Sequence, residues 1–211
     1  MTGFESTDLL YRQIRTGLPA DVLAVPAPPV PQLGDPYEVR IPDPDGPDPE
    51  VIADWMQRPH LVEAWDSAWP VPRWRDYLRA QLAGSYSVPL IYTQHGVGSA
   101  YVELYRAAQD SIARCYYADP HDIGVHIAIA DDDNTGRGLG PAAFAPGVLA
   151  VFRDDPQCNR IMYDPDHRNA SARRALESVG ATFLGEHETA NRRRALYATV
   201  RAPDFVPTAR T

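Results

Sequence analysis

The chain has 211 residues, 44% of them hydrophobic, and a formal net charge of −8. That length and composition suit one domain with a sizeable core and room for an appended arm. The negative charge argues against a nucleic-acid binder, which needs a basic face, and no apolar run of about 18 residues is present to span a bilayer.

The N-terminal stretch MTGFESTDLLYRQIR carries early acids and no apolar run, so no secretory signal is expected. A short helix is expected over residues 4–16, with Phe4, Leu10 and Ile14 as its apolar contacts. Residues 19–49 hold ten of the 21 prolines. Proline lacks the N–H and fixes φ, so this stretch reads as an extended arm, neither helix nor central strand, with one strand at 37–41 inside it. Asp48 and Pro49 suit the N-cap and first position of a helix whose apolar face is Val51, Ile52, Trp55 and Met56, stopping near Pro59. A second helix begins near Pro72, carries Trp74, Leu78 and Leu82 as its stripe, and ends at Gly84.

Strands are expected at 88–93, 98–105, 125–130, 160–163, 182–188 and 195–201, with helices at 139–153 and 169–179. Asn191 and the run Arg192-Arg193-Arg194 suit a solvated turn in the last hairpin. This order predicts an α/β fold whose sheet is of mixed direction. The division expected is a helix and proline-rich arm over 1–36 and one domain over 37–205. Cys115 and Cys158 form no CxxC pair and read as reduced thiols of a cytoplasmic protein.

Two strand-to-helix units carry the chemistry. In the first, Val125, Ile127 and Ile129 alternate with His126, Ala128 and Ala130, and a glycine-rich segment, Thr135-Gly136-Arg137-Gly138-Leu139-Gly140, opens the next helix. Such a loop folds tightly, and its N–H groups with the helix N-terminus suit an anionic pyrophosphate, to which Arg137 adds a charge. In the second unit Asp164 ends a strand, and Ala172, Ala175, Leu176 and Val179 line a helix that Gly180 stops. His126 and Asp164 are an acid/base pair if their strands are neighbours. The plainer readings are a satisfied strand histidine and an Asp-Pro turn. Asp119, His121, Asp122 and His126 make a paper cluster for zinc, but no H-E-x-x-H or cysteine pair accompanies them, and no metal is expected. No G-x-S-x-G elbow supports a serine hydrolase.

The glycine loop and the run Asn169-x-x-Ala172-x-x-Ala175-Leu176-x-x-x-Gly180-Ala181-x-Phe183 resemble the two cofactor motifs of GCN5-related N-acyltransferases. Gly138 and Gly140 match the family's loop, while Thr135 stands where Gln or Arg is usual. The resemblance implies a single GNAT-fold domain with a mixed, mostly antiparallel sheet flanked by helices. It implies acyl-CoA, or an acyl-pantetheine on a carrier protein, as co-substrate. Ile129, Gly136, Arg137, Gly138, Leu139, Gly140 and Asn169 would hold it, with no permanently bound cofactor.

Further stretches resemble the siderophore branch of that superfamily, the mycobactin-type lysine N-acyltransferases above all. They are Ala53-Asp54-Trp55-Met56, Arg58-Pro59-His60-Leu61, Ala64-Trp65, Trp69-Pro70, Arg73-Trp74-Arg75, Glu103-Leu104-Tyr105, Tyr117 to Pro120, and Asp164-Pro165-Asp166-His167-Arg168-Asn169. What this implies is transfer of a long fatty acyl group to the N6 amine of lysine or N6-hydroxylysine, in siderophore assembly for iron acquisition. Asp164 would be the proton acceptor and His126 its positioning partner, with the roles exchangeable. Trp69 and Asp119 would stand beside the amine, and Trp65, Trp69, Trp74 and Leu78 would line an acyl tunnel or serve as core. A monomer is expected. The same residues also fit an aminoglycoside 6′-N-acetyltransferase using acetyl-CoA, or a non-catalytic acyl-CoA or carrier-protein binding module.

Overall fold

The computed structural model describes residues 14–130, 139–189 and 192–210, and of residues 139–144 the backbone alone. A seven-stranded sheet runs in the order β1-β2-β3-β4-β5-β7-β6. Its strands are β1 (Tyr37–Arg40), β2 (Ser87–Gln94), β3 (Val97–Arg106), β4 (Ile123–Ile129), β5 (Arg160–Tyr163), β6 (Thr182–Glu188) and β7 (Arg193–Val200). Every neighbouring pair is antiparallel except β4 and β5, which are parallel. The mixed, mostly antiparallel sheet is therefore as expected.

Two helical layers cover it. On one face lie α2 (Asp48–Met56), α3 (Pro59–Trp65) and α4 (Val71–Leu82), whose Ile52, Met56, Leu61, Trp74 and Leu78 pack on Ile91, Tyr101 and Ala128. On the other lie α5 (Leu139–Asp154) and α6 (Ala170–Ser178), with Val151 and Leu176 against Leu90, Val102 and Leu104. β2 and β3 are buried on both faces, which is why their apolar runs are nearly continuous.

Pro59 restarts the chain rather than ending it. Arg58 is extended, as a residue before proline prefers, and Pro59 takes the first position of α3. Ile14, assigned above to an N-terminal helix, instead bridges Asp110 in extended backbone, and residues 4–13 of that helix lie outside the described residues.

The proline-rich arm contains one helical turn, α1 (Ala20–Leu23), in the proline-free gap between Pro19 and Pro26. Its later part packs down: Val25 is buried, and Ala27, Val30 and Leu33 rest against the α5-side core. Arg106, 2% exposed, holds it there. Its Nε donates to the Pro26 carbonyl at 2.7 Å, and its Nη1 meets Asp155 Oδ2 at 2.9 Å. Among the described residues no helix is long and apolar enough to cross a membrane.

Candidate active site

β4 and β5 share only the pairs Ile123–Ile161 and Gly124–Met162. β5 then ends at Tyr163, because Pro165 cannot continue a ladder. The strands part beyond that point and open a cleft of about 590 Å³, walled by Val125, His126, Ile127 and Ile129 on one side and by Tyr163 and Asp164 on the other. His60, Leu61 and Trp65 from α3 close one end, and Asn169, Ala172 and Leu176 of the α6 segment close another.

Peptide groups alternate in direction along a strand. Ala130 N–H donates to Ser99 on the β3 side, and the Ile129 carbonyl accepts from His60 Nε2 at 3.0 Å. By that alternation the peptide groups of Val125, Ile127 and Ile129 point to the β5 side, and those of Ile127 and Ile129, past the last β4–β5 pair, look into the cleft. Ile129 therefore lines it, although its carbonyl is already occupied by His60.

The cleft brings His126 and Asp164 together, with Nε2 3.3 Å from Oδ1. Both side chains are mostly buried, at 13% and 12% exposed. The imidazole lies flat on Tyr105, with centroids 4.6 Å apart and an interplanar angle of 14°, and meets Trp65 edge-on at 6.1 Å. Its Nδ1 makes no hydrogen bond among the described residues and stands 3.5 Å from Glu103 Oε2. Asp164 is held by Arg194, whose Nη1 donates to its carbonyl at 2.8 Å and lies 3.1 Å from Oδ2.

Arg194 and Glu103 carry no role in the reading above. The sequence pattern sets Arg194 in a solvated turn, but β7 begins at Arg193, so Arg194 sits in the sheet and reaches Asp164. The signal for Glu103 was a carboxylate inside the buried run Tyr101-Val102-Glu103-Leu104-Tyr105. A charge there must find partners.

The remaining candidates divide. Asn169 lines the cleft and caps α6, its Oδ1 accepting from Ala172 N–H at 2.9 Å. Gly136, Arg137 and Gly138 lie outside the described residues, and of Leu139 and Gly140, at the start of α5, only the backbone is described. Trp69 is buried beside Trp74 and Tyr77, ring centroids 5.0 and 5.2 Å away, and does not line the cleft. Asp119 shapes a turn, accepting from His121 N–H at 2.9 Å, also away from the cleft. Trp74 and Leu78 are core of the α2–α4 layer rather than tunnel wall. The apolar cavity lies on the opposite face: about 100 Å³ between β2–β4 and α5, bordered by Pro31 and Leu33 of the arm, and sharing Val125, Ile127 and Ile129 with the cleft.

Charges around the cleft are set locally. The Arg168 guanidinium beside Asp166 holds that carboxyl down to about 2. Burial, then the charge of Asp164, pushes the Cys115 thiol up. Asp119, His121, Asp122 and His126 do not assemble: Asp122 is taken by Arg160 and Tyr116, and among the described residues no group of three His, Cys, Asp or Glu is arranged to hold a metal ion.

A cleft between two parting parallel strands, with an acid/base pair at its edge, can hold a thin extended arm and deprotonate an amine beside it. The acetyltransferase (GNAT) domain family matches residues 45–189. A lysine N-acyltransferase MbtK from Mycobacterium sp. (strain MCS) is 55% identical over 199 residues, covering 94% of this chain and 81% of that protein. The MbtK of Mycobacterium tuberculosis (strain H37Rv) is 50% identical over 196 residues, covering 92% of each. Among solved structures, the aminoglycoside acetyltransferase AAC(6′)-Ib in complex with coenzyme A superposes with a TM-score of 0.69 at 24% identity, over 78% of this chain and 95% of that one, a likeness of fold.

Proposed function

The chain belongs to the GNAT acetyltransferase family, and on that premise we propose that it moves an acyl group from an acyl thioester to the N6 amine of lysine or N6-hydroxylysine, in the assembly of mycobactin-type siderophores. The observation that carries this reading is the close likeness to lysine N-acyltransferases over nearly the whole chain. The cleft chemistry fits it.

An alkylamine is protonated at neutral pH and must lose a proton to become a nucleophile. Asp164, ion-paired to Arg194, lies where it can hold the ammonium, and its neighbour His126 completes the proton-accepting pair. The ammonium gives one proton to the pair. The neutral amine attacks the thioester carbonyl, forming the C–N bond. The tetrahedral intermediate sheds its second N–H proton and expels the thiolate, which takes a proton to leave as the thiol. Peptide N–H groups of β4 that look into the cleft suit the oxyanion.

The donor in this reading is acyl-CoA or an acyl carrier protein, both of which present a pantetheine arm. Gly136, Arg137, Gly138, Leu139, Gly140, Ile129 and Asn169 stay assigned to that arm, and Trp69 and Asp119, which do not line the cleft, are given no part in acceptor binding. The apolar cavity that shares the β4 wall of the cleft suits a few methylene groups of an acyl chain. We assign catalysis to the domain over 37–205, with residues 1–36 as its arm, in a cytoplasmic monomer.

Thiol release from acyl-CoAs of increasing chain length, with lysine, N6-hydroxylysine and an aminoglycoside as separate acceptors, tests the proposal. Release that depends on lysine or hydroxylysine and grows with chain length is expected. Release with acetyl-CoA and the aminoglycoside alone would refute it.

A further inference from the structure

We propose that Glu103 is a positioning residue that fixes the tautomer of His126, keeping the proton on Nδ1 and turning the Nε2 lone pair into the cleft as the proton acceptor. This rests on the acyl-transfer reading above for its purpose, but not for its geometry.

Glu103 is 1% exposed, in the middle of β3, directly across from His126 on β4. Its two oxygens are used differently. Oε1 receives Tyr77 Oη at 2.8 Å and Gln81 Nε2 at 3.3 Å, and Tyr101 Oη lies 3.1 Å away, its one proton shared with Gln81 Oε1 at 3.0 Å. Oε2 points at His126 Nδ1, 3.5 Å away. Convergent donors on one oxygen fit an acceptor-only carboxylate and orient it, so Oε2 is presented to the imidazole. The gap is long for a hydrogen bond, as catalytic contacts without substrate often are, and closes by a few tenths of an ångström.

His126 stands between two carboxylates, and the proton must be assigned to one side. Asp164 carries the Arg194 guanidinium on Oδ2, which offsets its charge. Glu103 Oε1 is held by hydroxyl and amide donors, and Oε2 is the oxygen turned to Nδ1. A buried carboxylate fixed opposite Nδ1 is an acceptor for a ring proton on that nitrogen. Tyr105 stacks on the face of the ring and Trp65 meets it edge-on, which sets the plane in which Nδ1 faces Glu103 and Nε2 faces Asp164.

With Nδ1–H directed at Glu103, Nε2 is left with a lone pair 3.3 Å from Asp164 Oδ1, where the ammonium is held. A proton leaving the ammonium lands on Nε2. The imidazolium so formed has a carboxylate at each nitrogen, Glu103 on one and Asp164 on the other.

The substitution Glu103→Gln inverts the arrangement with almost no change in shape. The donors on Oε1 would keep the amide oxygen in that position and leave the amide NH2 facing Nδ1. An NH2 donor demands a lone pair on Nδ1, so the proton would move to Nε2, the wrong nitrogen.

The test is nitrogen-15 NMR of the histidine side chains of the whole protein at a pH where the imidazoles are neutral, with His126 assigned by the loss of its signals in His126→Gln. No substrate is needed, so this readout stands apart from the identity of the acceptor. The wild-type protein should show His126 as the Nδ1–H tautomer. An Nε2–H tautomer there overturns the proposal, whatever any variant does. Glu103→Gln should show the Nε2–H form with an unchanged melting transition, and its kcat should fall about 10²–10⁴-fold with little change in KM. A Glu103→Gln protein that folds and keeps the Nδ1–H form, or keeps full kcat, overturns it as well. A Glu103→Gln that does not fold leaves the wild-type spectrum to decide. If acyl transfer to lysine fails but the tautomers behave as stated, the substrate assignment falls and the role of Glu103 stands.

Discussion

Tyr105 and Gly124 are paired across β3 and β4, and a Cβ at position 124 would lie 2.1 Å from Tyr105 Cζ. The phenol ring therefore lies over a bare backbone, and His126, two residues along the same face, stacks on it. The glycine is required by close approach rather than by its φ. Gly124→Ala is expected to force the ring aside, costing roughly 1–3 kcal/mol as overpacking and tilting His126 out of line with Asp164. Thermal melting and kcat check it, and adding Tyr105→Leu should recover the stability but not the rate. A fully active, fully stable Gly124→Ala would show that the ring does not position His126.

Asp164→Asn keeps the shape of the site and removes the negative charge that meets both His126 and Arg194. Turnover is expected to fall ~10²–10⁴-fold, the usual share of a positioned proton-transfer group. Binding of the acyl thioester, measured by calorimetry, should change little. Loss of thioester affinity with normal turnover at saturation would move Asp164 from the amine side to the donor side.

Arg106→Met deletes the buried cation that ties Asp155 to the carbonyls of Pro26 and Ala27. Removing one member of a buried pair leaves an uncompensated charge, and a loss of about 3–5 kcal/mol is expected. Denaturant titration measures the loss. Limited proteolysis should cut first within residues 19–36, because the arm loses its anchor. A variant whose arm resists protease as well as the wild type would show that packing of Val25, Val30 and Leu33 is sufficient.

Asp166 stabilises the turn before α6 through Arg168, and its carboxyl sits at about 2 in the folded protein. The unfolded value is about 3.9. A depressed acid stabilises the fold above the unfolded value and loses that contribution as pH falls through the folded value. The stability gap between wild type and Asp166→Asn should thus be full above about pH 5 and vanish toward pH 2. Salt should narrow it, since Arg168 is 73% exposed. A gap independent of pH would make the turn geometry, not the charge, responsible.

Burial pushes the Cys158 thiol up to about 12, and its Sγ donates to the Arg160 carbonyl at 3.3 Å. It is a neutral, unreactive thiol at ordinary pH. Iodoacetamide at pH 8 should leave Cys158 unmodified in the native protein and label it in urea, read by peptide mass. Rapid native labelling would mean that the end of α5 opens readily.

Much of this protein was legible in its residues. Strand alternation in Val125–Ile129, the Asp-Pro break at Asp164 and the Gly180 stop are local effects, and β5 and β6 fall where the pattern put them. His126 and Asp164 were legible as chemistry because one stands within a strand and the other just past a strand's end, where a polar group needs a reason. Local patterns went astray where a residue's partner is distant in the chain. Arg194 reads as one more turn arginine until β7 is laid beside β5. Trp69 and Trp74 read equally well as tunnel and as core, and only their mutual packing under the sheet makes them core.

By itself, the sequence determined the order of strands and helices, the two strand-to-helix units, and the residues able to move a proton. Those follow from backbone propensity and side-chain chemistry, which act over a few neighbouring positions. The tertiary structure alone decided which of those residues meet. Glu103, His126 and Arg194 lie on three different strands and Asp164 just past the end of a fourth, and their line exists because β3, β4, β5 and β7 are consecutive in the sheet. The apolar cavity that α5 and the arm enclose against β2–β4 was decided the same way. Distances between charges and the shape of empty space depend on contacts far apart in the chain, and no local pattern contains them.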